Sequence, residues 1–146
     1  MMALPPVEGA VFSIRLTEGP THGLIVRYAP RRNLALCYFY LGHPSQGQVS
    51  RDPVWITWCS DLRLRNGDWP ISGRLPSWTR DDWPIPAFKG QEGDRSVVIR
   101  YDENLKEADR RFTDEQEASL LPEDGAAQVG FVEKRLARLL HEVGGA

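Results

Sequence analysis

Two cysteines, two methionines and three histidines are all that the sequence offers of the residues that most often build redox and metal sites. Cys37 and Cys59 can form only one bridge. Each lies in an apolar run, residues 34 to 40 and 55 to 60, where a reduced thiol packs as a small hydrophobe, so buried free thiols are expected. His22, His43 and His141 are scattered, with no cysteine or carboxylate at metal-ligand spacing, and no metal site is expected. The chain lacks a Gly-Lys-Ser/Thr phosphate loop, a dinucleotide glycine fingerprint and a Gly-x-Ser-x-Gly elbow, so no cofactor is expected either. No hydrophobic stretch has the length of a membrane span, and Met-Met-Ala-Leu-Pro-Pro carries no basic segment leading into an apolar one. A cytoplasmic protein without a membrane partner is the expectation. Net charge is −2, which disfavours the phosphate backbone of a nucleic acid.

What is present is ordinary globular material, 41% hydrophobic and 26% charged, in a length that suits one domain over residues 1–146. Residues 11 to 16, 23 to 28, 34 to 41 and 54 to 58 are short runs rich in strand formers, bounded by turn signals such as Glu18-Gly-Pro-Thr and Ala29-Pro-Arg-Arg-Asn. The third is apolar throughout, which predicts cover on both faces. Leu62-Arg-Leu-Arg alternates and reads as a short fifth strand, with Asn66-Gly67 as the hairpin turn returning the chain through Trp69. Prolines 76, 84 and 86 deny residues 74 to 88 a regular ladder, and residues 96 to 101 form a last strand.

Thr113-Asp-Glu-Gln116 has the spacing of a capping box and predicts a short helix to Leu121, stopped by Pro122. From Ala126 onward, Val129, Val132, Leu136, Leu139, Leu140 and Val143 recur at three- and four-residue steps, the stripe of an amphipathic helix closed by Gly144-Gly145. The expected fold is mostly β (α+β): a small antiparallel sheet curled into a partly open, SH3-like barrel, with a short helix and a C-terminal amphipathic helix.

All five tryptophans fall between residues 55 and 83. Trp55 and Trp58 are three apart on a strand and so point to opposite faces. Trp69, Ile71 and Gly73 follow at period two, which suits a core-facing indole and a glycine giving a neighbour room. Burial of such an indole is worth at most ~4 to 6 kcal/mol. Trp78 and Trp83 sit in the proline-stiffened segment, where two readings stand open. They plug one end of the barrel, or they are rigid anchors for a partner, with Arg74 and Arg80 beside them.

Asp81-Asp82, with His43 from the earlier loop, would make an acid/base pair if the fold joined them; the same two carboxylates also suit a local turn. Between Asp102 and Asp124, nine acidic residues stand against three basic ones. Glu115 and Glu117 lie in that segment, which is either a solvated surface or an acidic face for a partner.

Five segments in order, Glu8 to Leu16, Gly23 to Val26, Asn66 to Pro76, Trp83 to Phe88 and Gly130 to Leu136, resemble the immunity protein 26 family, bacterial antidotes of polymorphic toxin systems. The sharpest element is Trp-x-x-x-Gly, here Trp69 and Gly73, before a proline-rich aromatic stretch. The resemblance implies a mostly β protein that is not an enzyme and that binds and neutralises a cognate toxin domain in the cytoplasm; the absent catalytic constellation, the stiff Trp/Arg loop and the acidic segment suggest that it does so by occlusion. Trp78, Trp83, Arg74, Arg80, Asp81, Asp82, Glu115 and Glu117 are the candidate partner contacts. The alternatives are a small barrel ribonuclease using His43, Asp81 and Asp82, and a peptide- or glycan-binding module using the tryptophan-rich loop. A homodimer is open too, through the Leu34 to Leu41 run or an exposed tryptophan.

Overall fold

The apolar runs around Leu24 and Cys37 lie side by side at the centre of a six-stranded sheet. The computed structural model describes residues 4 to 44 and 49 to 144. Part of the loop from Gly42 to Ser50, and Gly145 after the last helix, lie outside the described residues. Strand makes up 43% of the described residues and helix 18%, so the protein is mostly β.

The large sheet has the order β5 (Ile71–Arg74), β1 (Ala10–Leu16), β2 (Gly19–Ala29), β3 (Leu34–Leu41), β4 (Trp55–Ser60) and β9 (Ala126–Ala127). All pairs are antiparallel except β4 with β9. A second sheet runs β6 (Phe88–Glu92), β7 (Arg95–Tyr101) and β8 (Glu107–Thr113). Among the described residues there are also three α-helices, α1 (Leu62–Arg65), α2 (Glu115–Ala118) and α3 (Phe131–Gly144), and a 3-10 turn at Pro30–Arg32.

Because side chains alternate across a strand, the central strands feed two cores. One holds Phe12, Ile14, Ile25, Cys37, Phe39 and Cys59, covered by Trp69 and by Val132 and Leu136 of α3. The other holds Leu24, Val26, Leu36, Tyr38 and Trp58, covered by Trp83, Phe88 and Leu105. The expectation that residues 34 to 41 are covered on both faces therefore holds. With both edges of β3 also paired, that run offers no surface for a dimer. Trp55 and Trp58 take opposite faces, as their spacing requires.

The two edges of the large sheet, β5 and β9, do not pair with each other, so no closed barrel forms among the described residues. The antiparallel β1 to β4 meander is the part of the expected barrel that is present.

Leu62 to Arg65 is a single helical turn and not a strand. Arg65 N donates to Asp61 O (2.9 Å), while the wholly buried Asp61 carboxylate accepts from Arg65 Nε (2.8 Å) and Tyr28 Oη (2.7 Å). That four-residue pairing outweighs the alternation of leucine and arginine. Asn66-Gly67 consequently ends a helix, with Gly67 at φ +84, and makes no hairpin.

Three further boundaries differ. Asp114, one residue beyond Thr113, caps α2 by accepting from Glu117 N (2.8 Å), and the helix ends at Ala118. Ala126 and Ala127 leave the helical stripe to pair with Trp58 and Cys59, so α3 begins after Gly130, whose φ is +91. Strand β8 has no apolar face to announce it, since Glu107 to Phe112 are all exposed.

Candidate functional site

A bulge in β2 sets up the most heavily charged part of the interior. Ile25 opposes Cys37 and Arg27 opposes Leu36, so Val26 is the extra residue and Arg27 is turned onto the second core's side of the sheet. The Arg27 side chain is wholly buried there. Its Nε and Nη2 donate to the two oxygens of Glu103 (3.0 and 3.1 Å), its Nη1 to Val26 O (2.7 Å) and its Nη2 also to Arg80 O (3.4 Å). Arg80 continues the chain of charges, donating to Glu103 Oε2 (3.0 Å) and to both oxygens of Glu8 (2.9 and 2.6 Å). The Arg27 hydrogen bond, foremost, holds the Glu103 carboxyl below the usual carboxylate range.

This network fixes the excursion of residues 75 to 87 over the second core. Trp83 is 8% exposed and meets Tyr38 edge-on at 5.8 Å. Trp78, half-buried, stacks on Trp83 at 5.8 Å and packs against Gly9, where an added Cβ would lie 2.7 Å from Trp78 Cγ. Arg51 lies over the Trp83 ring at 5.3 Å. The indoles thus cover a core, and Arg80 is engaged within the chain. Arg74, Asp81 and Asp82 are exposed. Residues 79 to 83 form a turn held by Thr79 Oγ1, which accepts from Asp82 N (3.3 Å), and by Arg80 O, which accepts from Trp83 N (3.1 Å). Among the described residues no hydrogen bond joins His43 to either aspartate.

Trp69 stacks on Phe12 at 5.5 Å and is 4% exposed, as its core-facing assignment requires. Gly73 makes no room for a neighbour: a Cβ there would meet nothing within 4 Å. The close approach falls instead at Gly23, where a Cβ would lie 2.3 Å from Phe12 Cζ.

Much of the acidic segment is engaged within the chain by ion pairs or hydrogen bonds. Glu107 and Glu92 bind Arg110 (2.7 Å each), Glu117 binds Arg111 (2.6 Å), and Tyr101 Oη donates to Asp124 (2.5 Å). Glu117 also accepts from the Thr113 hydroxyl, and its carboxyl is lowered to about 2, chiefly by the Arg111 hydrogen bonds. Asp102 and Asp114 accept backbone amides. Asp109, Glu115 and Glu123 make no ion pair among the described residues.

Sequence reading missed a cleft of about 310 Å³ beside β9, where Trp55 and Phe131 make an aromatic wall and Lys89, Arg135, Glu123 and Asp124 supply charge. Trp55 rests on Phe39 (5.3 Å), meets the half-exposed Phe131 edge-on (6.1 Å) and carries Arg135 over its ring (5.6 Å). The opposite lip is residues 121 to 125, tied down by Lys89 N to Pro122 O and Asp124 N to Lys89 O (2.8 Å each). Its only signal in the sequence was Trp55 on the face opposite Trp58, because β4 joins the start of α3 through a contact far apart in the chain.

The chain matches no family model, no curated protein and no solved structure. The cleft and the excursion are therefore read on their own geometry. The cleft offers an apolar stacking surface with both signs of charge at its rim, which is the composition of a recognition surface.

Proposed function

We propose that the protein is an immunity protein that binds a cognate toxin domain in the cytoplasm and neutralises it by covering its working surface. The observation that carries this reading is the Trp55, Phe131 and Arg135 wall. Tryptophan and arginine lead among residues that dominate binding energy, and this wall is anchored on core residue Phe39, so little conformational freedom is lost on contact. The five segments that resemble immunity protein 26 support the same reading. An SH3-like kinship of the β1 to β4 meander belongs to the proposal as well.

Among the described residues no helix is long and apolar enough to cross a membrane. Arg74, Asp81, Asp82 and Glu115 are exposed away from the cleft's lining. The test is calorimetry against the terminal domain of the protein encoded next to this one, with growth rescue of cells making that domain. Tight one-to-one binding, weakened about tenfold or more by Phe131→Ala or Arg135→Glu, supports the reading. Absence of binding and of rescue overturns it, and losses confined to Arg74, Asp81 or Asp82 variants move the contact to the excursion and the adjoining end of β5.

A glycan- or peptide-binding module is the second reading, favoured by the same aromatic wall, on which a sugar ring or a peptide side chain could stack. Binding on a glycan or peptide array that Trp55→Ala abolishes, in a protein that ignores the neighbouring toxin domain, would select it.

A further inference from the structure

Strand β4 is paired along its whole length on one side only. There β3 matches every residue, from Ser60 opposite Leu34 to Trp55 opposite Phe39, with no break in register. On the other side β9 reaches only Trp58 and Cys59. Gly125, at φ +121, carries the chain away from β4 toward β6, where Asp124 N donates to Lys89 O and Lys89 N to Pro122 O (2.8 Å each). A notch in the sheet is left beside Trp55, Ile56 and Thr57.

The ladder with β3 decides which groups face that notch. Asp61 N donates to Asn33 O (3.1 Å), the bond that flanks an antiparallel pair whose own members exchange none, so Ser60 turns its N–H and C=O away from β3. Orientation alternates along a strand. Trp58 and Ile56 therefore turn outward with Ser60, while Cys59, Thr57 and Trp55 turn toward β3. At the far end Val54 N donates to Phe39 O (2.9 Å), which keeps that side of the ladder closed. The outward groups of Trp58 meet β9, but Ile56 has no strand beside it among the described residues.

A backbone donor and acceptor on one residue are matched by the acceptor and donor of another extended chain. Trp55 and Thr57, on either side of Ile56, line the cleft, so the bare groups open beside its aromatic wall. We propose that the partner grasped at this cleft inserts an extended segment into the notch, as a short added strand of the large sheet lying end to end with β9. The inference rests on the toxin-domain reading and states which kind of segment that domain presents. Ile56 tethers the main chain of the segment. A side chain on the α3 side enters between Trp55, Phe131 and the lip at residues 121 to 125, a place for an apolar or aromatic group.

The test is hydrogen exchange read residue by residue by NMR, with and without the terminal domain of the protein encoded next door, beside calorimetry of Ile56→Pro and Ile56→Ala. In the free protein the Ile56 amide should exchange at least about tenfold faster than those of Trp55 and Thr57, which face β3. Adding the domain should slow it about tenfold or more. Proline removes an outward N–H without touching the β3 ladder, and its ring obstructs the edge. Ile56→Pro should therefore bind at least about tenfold more weakly than Ile56→Ala, the control for lost core contacts. An Ile56 amide already protected in the free protein overturns the proposal. A complex that forms with Ile56 exchange unchanged, or a folded Ile56→Pro that binds as well as Ile56→Ala, also overturns it and leaves the cleft reading standing. A domain that does not bind at all removes both. If Ile56→Pro does not fold, the exchange measurement decides alone.

Discussion

Arg27 and Glu103 form a two-point ion pair in which the guanidinium is wholly buried while the carboxylate is more than half exposed. The bulge in β2 aims the arginine inward, and among the described residues Glu103 alone pairs with it as a formal negative charge. Glu103→Gln therefore leaves a buried charge uncompensated. It should cost about 2 to 4 kcal/mol in urea unfolding, less than a fully buried pair because water reaches one partner. Adding Arg27→Met should recover much of that loss, since removing both charges removes the desolvation cost with them.

Acid should weaken the fold through the same carboxylate. Glu103 is held below its ordinary value of 4.5, and Glu117 is held at about 2. Both contribute stability that is complete above the unfolded value and is lost as pH falls from near 4.5 toward the folded one. Urea midpoints measured between pH 5 and pH 2 should decline, and the decline should be shallower in Glu117→Gln.

Two glycines should respond in opposite ways to alanine. At Gly23 the new Cβ would meet three Phe12 ring atoms below 3.0 Å, a clash in the centre of a core. Gly23→Ala should cost about 1 to 3 kcal/mol. At Gly73 the space is open, and Gly73→Ala should be neutral or stabilise by up to about 1 kcal/mol through the unfolded chain. Thermal melts of the two variants compare them directly.

Tyr28 should titrate late. Burial first, then its hydrogen bond to Asp61, raises its phenol to about 12. Its contribution to stability is whole below the ordinary value of 10 and is lost as pH rises toward 12. Ultraviolet titration should show a late phenol that Asp61→Asn brings part of the way down, with burial holding the remainder.

Cys37 and Cys59 should be silent until the protein unfolds. Their sulfurs lie 3.7 Å apart in the first core, and burial pushes the Cys37 thiol well up. A thiol reagent at pH 8 should react with neither in the native state and with both in denaturant, at a rate that follows unfolding.

What could be read from the chain alone was whatever a local pattern decides. The unbroken apolar run from Leu34 to Leu41 announced a strand covered twice, and the stripe through Val132 and Leu136 announced α3. The failures lie where a distant partner overrides a local pattern. Leu62 to Arg65 alternates like a strand but is wound into a turn around Asp61, a buried carboxylate that also accepts from the distant Tyr28. Glu107 to Thr113 has no apolar face and is a strand only because β7 supplies its ladder. The cleft was illegible for the same reason, since Trp55, Lys89 and Phe131 come together only after two sheets and a helix are assembled. Arg80 looked like an exposed anchor, and nothing local marked Glu8 and Glu103 as its partners.

The double cover of β2 and β3 has an evolutionary corollary. With the broad faces of the central strands committed to the interior, partners are left the surfaces around them: the ends of strands, the mouth beside β9, the excursion over the second core. Exposed positions such as Phe131 and Asp109 can change identity without disturbing either core. Recognition can therefore drift quickly over a scaffold that stays fixed, which is the arrangement the proposed antidote role would call for.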